Sequence, residues 1–257
     1  MKARKILALV CALLTLVCVL ASCDKGGSDL EYVQKKGTMI VGITEYAPMD
    51  YKDDNDEWTG FDAEFARLVA KELGVTVEFK EIDWDNKAME IETKGVDCIW
   101  NGMTLTEEVR NSMDCSAAYV KNAQVVVMAS DKLSQYADAA SMKELKFAVE
   151  AGSAGEAAAK EAGFTTIAVT DQATALMEVA SGTSDACVID ITMANAMTGE
   201  GTSYTALGYQ LELTTEEYGI GFRKGSDMVA KVNEIMQKLR DDGTLAALAA
   251  KYNLALA

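Results

Sequence analysis

The residue types that could do chemistry are few and specific in this chain. Histidine is absent, which removes the commonest general base and the commonest metal ligand together. No evident pair of catalytic acids replaces it, and no cysteines stand at zinc-site spacing. Of six cysteines, Cys11, Cys18 and Cys23 fall within or just after the apolar N-terminal stretch. Cys98, Cys115 and Cys187 remain, an odd set that allows at most one internal bridge. Their apolar contexts fit buried free thiols, or a bridge between Cys98 and Cys115 with one thiol left over. What is left is binding chemistry. Ala151-Gly-Ser-Ala-Gly155 opens a predicted helix, whose first N–H groups and positive dipole end suit a carboxylate. Ser153 could equally act there as an N-cap, and the two roles are compatible. Gly102 lets a main chain approach closely, and Thr104 offers a hydroxyl.

The elements that must position these residues alternate between strand and helix patterns. Thr38–Ile43 reads as a strand. Phe61, Phe65, Leu68, Val69 and Leu73 fall at helical spacing, and Gly74 ends that helix. Residues 75–80 alternate as a strand, 86–93 form a short helix, and 96–100 a buried strand. Gln124–Ala129 is a valine-rich strand, followed by a polar, alanine-rich stretch over 130–143. Strands then follow at Lys146–Glu150, 166–169 and 185–190, with helices at 155–162, 172–180 (capped by Asp171) and Ile191–Met197. Residues 204–213 and 218–222 are strand-like. Ser226 is placed to cap a long amphipathic helix carrying Val229, Val232, Ile235, Met236 and Leu239, and a last helix spans 244–252. Repeated strand–helix units predict an α/β fold with mostly parallel strands.

The N-terminus reads differently. Lys2, Arg4 and Lys5 precede an apolar run over 6–20, and then come Leu20-Ala21-Ser22-Cys23. This is the layout of a secretory signal, too short to span a bilayer. Small residues before a cysteine resemble the bacterial lipobox, which predicts a signal peptide over 1–22 and lipidation of Cys23. An ordinary cleaved signal with an incidental cysteine is the alternative. Residues 23–29 would be a lipidated end and flexible spacer. The net charge of −16 becomes −19 once Lys2, Arg4 and Lys5 are set aside. Such acidity argues against nucleic acid as a partner.

Several stretches together carry a family resemblance. Gly60-Phe-Asp-Ala-Glu-Phe-Ala-Arg-Leu-Val-Ala-Lys-Glu-Leu-Gly74 closely resembles the signature of the family 3 solute-binding proteins, the polar amino acid receptors of ABC importers. Ala63 departs slightly, since a larger aliphatic residue or Thr is usual there. Val41-Gly-Ile-Thr-Glu-Tyr-Ala-Pro-Met49 is similar to the family's first strand and ligand loop. Asp97-Cys-Ile-Trp-Asn-Gly-Met-Thr-Leu-Thr106, Asp114-Cys-Ser-Ala-Ala-Tyr119, Asp185-Ala-Cys-Val-Ile-Asp190 and Tyr218-Gly-Ile-Gly-Phe-Arg-Lys-Gly225 follow in the family's order.

The resemblance implies a two-lobed periplasmic-binding-protein type II fold with a ligand cleft between the lobes. One lobe would hold residues 30–122 plus 216–257, the other 123–215, with a hinge near 121–123 and 216–218. It also implies the site. Tyr46 and Trp84 occupy the columns of an aromatic bracket, although Trp84 could simply cover core; Trp100 reads as core. Asn101, Gly102, Met103 and Thr104 align with the loop lining the ligand backbone, Ser153 and Ala154 with the carboxylate site, and Asp190 with the acid that takes the α-ammonium. One column departs. The family's carboxylate-gripping arginine is Val109 here, followed by Arg110. Either the loop shifts and Arg110 serves, or the clamp is missing; on a helical turn Arg110 would point about 100° away. The implied protein is a monomeric, non-enzymatic, extracytoplasmic receptor without cofactor or metal. It would be anchored to the cell membrane through its lipid, and would deliver a polar amino acid or related amine to ABC permease subunits. The alternatives are an enzyme on the same fold, such as a cyclohexadienyl dehydratase, or a surface sensory or adhesion protein.

Overall fold

The computed structural model describes residues 27–257. The expected signal peptide, Cys23 and residues 23–26 of the spacer lie outside the described residues. The first element among the described residues is a helix, α1 (Asp29–Lys36), whose N-cap Ser28 accepts from the Glu31 N–H at 2.9 Å. Sequence periodicity did not reveal it because Val33 is its one buried residue. Then follow β1 (Thr38–Ile43), a small hairpin of β2 (Tyr51–Lys52) and β3 (Trp58–Thr59), α2 (Phe61–Leu73) and β4 (Thr76–Glu81). A 3₁₀ turn at Trp84–Asn86 leads into α3 (Lys87–Glu92), then β5 (Cys98–Ile99), α4 (Glu107–Ser112), β6 (Asp114–Cys115) and β7 (Val120–Asn122).

A second run of elements comprises β8 (Gln124–Ala129), β9 (Lys146–Glu150), α5 (Ala154–Glu161), β10 (Thr165–Val169), α6 (Gln172–Ser181), β11 (Ala186–Asp190), α7 (Ile191–Met197) and β12 (Leu207–Glu212). The chain then returns through β13 (Glu216–Tyr218) and β14 (Gly221–Phe222) to α8 (Met228–Asp241) and α9 (Thr244–Lys251).

Two five-stranded sheets result. The first has the order β4-β1-β5-β14-β6 and the second β10-β9-β11-β8-β12. In the first, β1 runs parallel to β4 and β5, while β14 lies antiparallel to β5 and β6. In the second, β9 runs parallel to β10 and β11, and β8 is antiparallel to β11 and β12. The chain leaves the first sheet through β7 and comes back through β13, and these two strands pair with each other. Ligands of such open α/β sheets gather beyond the carboxyl ends of the parallel strands. Those ends are the loops after β1 and β5 in one lobe, and after β9 and β11 in the other.

The signature helix α2 shows why its residue types matter. Phe61, Phe65, Ala66, Val69, Ala70 and Leu73 are all buried on one face. Gly60, its N-cap, has φ +117°, and a Cβ there would stand 2.2 Å from the Met49 carbonyl oxygen, so only glycine fits. Phe65 meets Trp100 edge-on with centroids 4.8 Å apart, and Trp100 is fully buried, as core. All three described cysteines are free thiols. A bridge between Cys98 and Cys115 is ruled out by topology: β14 lies between β5 and β6, which sets the two roughly 10 Å apart. Ser226 does accept from the Met228 N–H at the start of α8, at 3.3 Å, although it stands one residue before the N-cap. Asp227 holds the N-cap position, and its carboxylate accepts from the Leu30 N–H at 2.9 Å and from the Ser28 hydroxyl, tying α8 to α1. Among the described residues no helix is long and apolar enough to cross a membrane.

Candidate functional site

The loops at the carboxyl ends of the two sheets enclose a cavity of about 580 Å³. Nine of the ten expected ligand residues line it: Tyr46, Trp84, Asn101, Gly102, Met103, Thr104, Ser153, Ala154 and Asp190. Arg110 is the exception. It is exposed near the end of α4, where its carbonyl accepts from Lys224 Nζ at 2.7 Å, while Val109 one residue earlier is buried and lines the cavity. The helical step of about 100° per residue separates the two side chains. The reading in which a loop shift brings Arg110 to the cleft is therefore corrected: no arginine lines this cavity.

The first lobe's wall is fixed from behind. Asn101 accepts from the Thr44 N–H (3.0 Å) and hydroxyl (2.8 Å), and donates to the Thr44 carbonyl (3.0 Å) and Asp50 Oδ2 (2.8 Å). Gly102 has φ +56°, and a Cβ on it would meet Tyr46 Cε1 at 2.5 Å. Its N–H donates to Asp62 Oδ2 at 2.6 Å, and the Tyr119 hydroxyl donates to the same oxygen at 2.7 Å. The aspartate of the α2 signature thus pins the ligand loop. Burial pushes its carboxyl up to about 7, against those hydrogen bonds. Thr104 donates to Glu216 Oε2 at 3.0 Å, linking the loop to β13. Trp84 both covers the cluster of Ile91, Val96, Met103 and Val109 and lines the cavity, so its two readings hold together.

The second lobe's wall is polar. Ser153 caps α5 by accepting from the Glu156 N–H at 3.0 Å, and Glu156 Oε2 reaches back to the Gly152 N–H at 3.0 Å, a reciprocal capping arrangement. Asp190 ends β11. Its Oδ1 accepts from Asn122 and from Gln124 Nε2 (2.7 Å), and its Oδ2 from Gln172 Nε2. Burial first, and the charge of Glu216 second, raise its carboxyl to about 6, opposed by hydrogen bonds including that from Gln172. Asn122 and Gln124 also donate to Glu216 Oε2, so Asp190 shares its partners with the β7–β13 crossing. The lobes touch across the cleft. The Tyr46 hydroxyl meets Thr192 of α7, and Lys87 Nζ donates to the Gly152 carbonyl at 2.8 Å.

Among the lining residues that the sequence did not single out are Lys87, Glu150 and Gln172. Lys87 follows Trp84 by three positions, and its Nζ lies 5.0 Å from the Trp84 ring centroid. Burial lowers its pKa, opposed by the charges of Glu150, Glu108 and Asp85. Glu150 was legible as the last residue of a predicted parallel strand, where ligands gather. Among the described residues no cluster of acids and cysteines suits a metal ion.

The model of the bacterial extracellular solute-binding proteins, family 3, matches residues 39–255. The arginine-binding extracellular protein ArtP of Bacillus subtilis (strain 168) is 30% identical, over 96% of both chains. The L-cystine-binding protein TcyJ of Escherichia coli (strain K12) is 27% identical over 87% of this chain and 85% of its own. Among solved structures, the ancestral amino acid-binding protein AncCDT-1, described as a precursor of cyclohexadienyl dehydratase, superposes with a TM-score of 0.81 at 32% identity. That match covers 88% of this chain and 99% of the other.

Proposed function

Because the chain belongs to the bacterial extracellular solute-binding proteins of family 3, we propose that its cleft captures a polar amino acid or closely related amine for an ABC importer. One observation carries this reading. Asp190 and the first turn of α5 on one lobe face Tyr46 and Trp84 on the other around a single cavity. The acid suits an α-ammonium, the helix N-terminus a carboxylate, and the rings an apolar or cationic side chain. With valine in the arginine column, the carboxylate's cation would be Lys87, whose Nζ already stands against the Gly152 carbonyl beside that helix.

The lobes would be residues 30–122 plus 216–257 and residues 123–215, moving about β7 and β13. A solute that touches both walls favours the closed arrangement by its differential affinity for it. In this reading the protein works as a monomer outside the cytoplasm, held to the membrane through a lipid on Cys23 and docking on permease subunits. It performs no catalysis. The relatives compared are named as binding proteins, but AncCDT-1 is described as a dehydratase precursor, so the enzymatic alternative has its own control.

Native mass spectrometry of freshly purified protein, followed by calorimetric titration with the standard amino acids and cystine, tests the reading. Saturable binding of at least one is expected. No binding at millimolar concentration refutes it, and turnover of a cyclohexadienyl acid refutes the non-enzymatic part.

A further inference from the structure

Two carboxyls stand side by side at the carboxyl edge of the second sheet. Glu150 is the last residue of β9 and Asp190 the last of β11, and those strands are parallel neighbours. Both side chains line the cavity, with 3% and 4% of their surface exposed. Their partners differ. Asp190 accepts three amide N–H bonds, from Asn122, Gln124 and Gln172, and the Tyr218 hydroxyl also acts on it, so its roughly four acceptor positions are nearly filled. Glu150 Oε1 is buried and meets no donor among the described residues. A buried carboxyl oxygen without a donor is costly, and a donor carried by the solute removes that cost.

Neither lysine of the cavity supplies it. Lys87 Nζ donates to the Trp84 and Gly152 carbonyls, and Lys160 pairs with Glu156 at 2.7 Å. The groups that act on Glu150 are the charges of Asp190 and Asp171, the Lys87 ammonium and the Thr44 hydroxyl. Asp85, Glu107 and Glu108 line the same space, so its field favours a cation.

We propose that Glu150 binds a positively charged nitrogen of the solute and makes the cleft select net-cationic solutes. The proposal rests on the amino acid reading and names a class within it: an α-amino acid with a second cationic nitrogen on its side chain. The α-ammonium would sit at Asp190, the side-chain cation at Glu150, and the carboxylate at Lys87 and the first turn of α5.

Calorimetric titration of the purified protein with matched pairs tests this: L-arginine against L-citrulline, and L-lysine against L-norleucine. The cationic member of at least one pair should bind tighter by about tenfold or more. Glu150→Gln should abolish most of that preference, read as the ratio of the two affinities within the variant. Glu150→Asp, which keeps a carboxyl that a bound cation holds ionised, should retain the preference. An unchanged preference in a folded Glu150→Gln protein overturns the proposal. So does the lack of a cationic preference in both wild-type pairs, a result that needs no variant. If neutral amino acids bind and cationic ones do not, the role of Glu150 falls while the amino acid reading stands. If no amino acid binds, both fall.

Discussion

On the first lobe's side of the cleft, Asn101 makes all its amide bonds to Thr44 and Asp50, Gly102 gives its N–H to Asp62, and Thr104 gives its hydroxyl to Glu216. On the second lobe's side, Glu150 keeps an oxygen without a donor, and α5 presents a capped but open first turn. One wall is a surface of rings and pinned main chain beside Lys87; the other carries the carboxyls that can still accept from a solute. The contrast suggests a division of labour. Shape is set where the groups that line the cleft already hold their partners, so that they need not rearrange when a ligand arrives. Charge is read where acceptors remain open.

The largest effect expected from this division is at Asp190. Asp190→Ala removes the carboxylate and also strands the amides of Asn122, Gln124 and Gln172 that it gathers. A charged hydrogen bond is worth about 1.5–3 kcal/mol, so affinity for an ammonium-bearing solute should fall roughly tenfold to a hundredfold. Calorimetry at matched salt measures it. Unchanged affinity would remove the second lobe's acid from the site and dissolve the contrast between the walls.

A smaller effect concerns the empty protein. Burial raises the carboxyl of Glu150 to about 8, and that of Asp62 to about 7. Each therefore holds its proton in the folded chain over a range where the unfolded chain has lost it. Stability contributed this way is present at low pH and lost as pH rises towards the folded value, at up to about 1.4 kcal/mol per pH unit for each group. The thermal midpoint should accordingly fall between about pH 5 and pH 8. Glu150→Gln should flatten that fall, because the group that titrates is gone. A variant as steep as the wild-type protein would place the titration elsewhere, at Asp62, Asp190 or Asp50, or in the general surface charge.

How much of this was legible in the sequence follows the same division. The first wall was readable because its constraints are steric and local. Gly60 and Gly102 are glycines with no space for a Cβ, and the α2 face repeats at helical spacing. Short strands such as β5 and β6, two residues each, kept their place through motif order rather than periodicity. The second wall was readable only at the points a motif marks, namely Ser153, Ala154 and Asp190. Glu150 there, and Lys87 on the first wall, went unnoticed because their meaning depends on what packs against them. An acid ending a strand is usually solvated, and only the folded chain shows that this one is buried, with Thr44, Lys87 and Asp190 acting on it. Arg110 failed for the opposite reason. Its type was right, but the helical phase of α4 sends it away from the cleft and turns Val109 inward.

The smallest effect separates two ways in which α5 could serve the second wall. Ser153 accepts from the Glu156 N–H and lines the cavity at once, so its hydroxyl could act on the helix, on the solute, or on both. Removing an N-cap hydroxyl costs about 1 kcal/mol of stability. If the helix contributes its main-chain N–H groups and dipole, Ser153→Ala should lower the thermal midpoint while affinity changes by less than about twofold. Glu156 still reaches back to the Gly152 N–H, which keeps the turn in place. A tenfold loss of affinity with an unshifted midpoint would mean instead that the hydroxyl itself binds the solute, so that the wall would carry one more side-chain contact and less of its carboxylate affinity would come from the helix end.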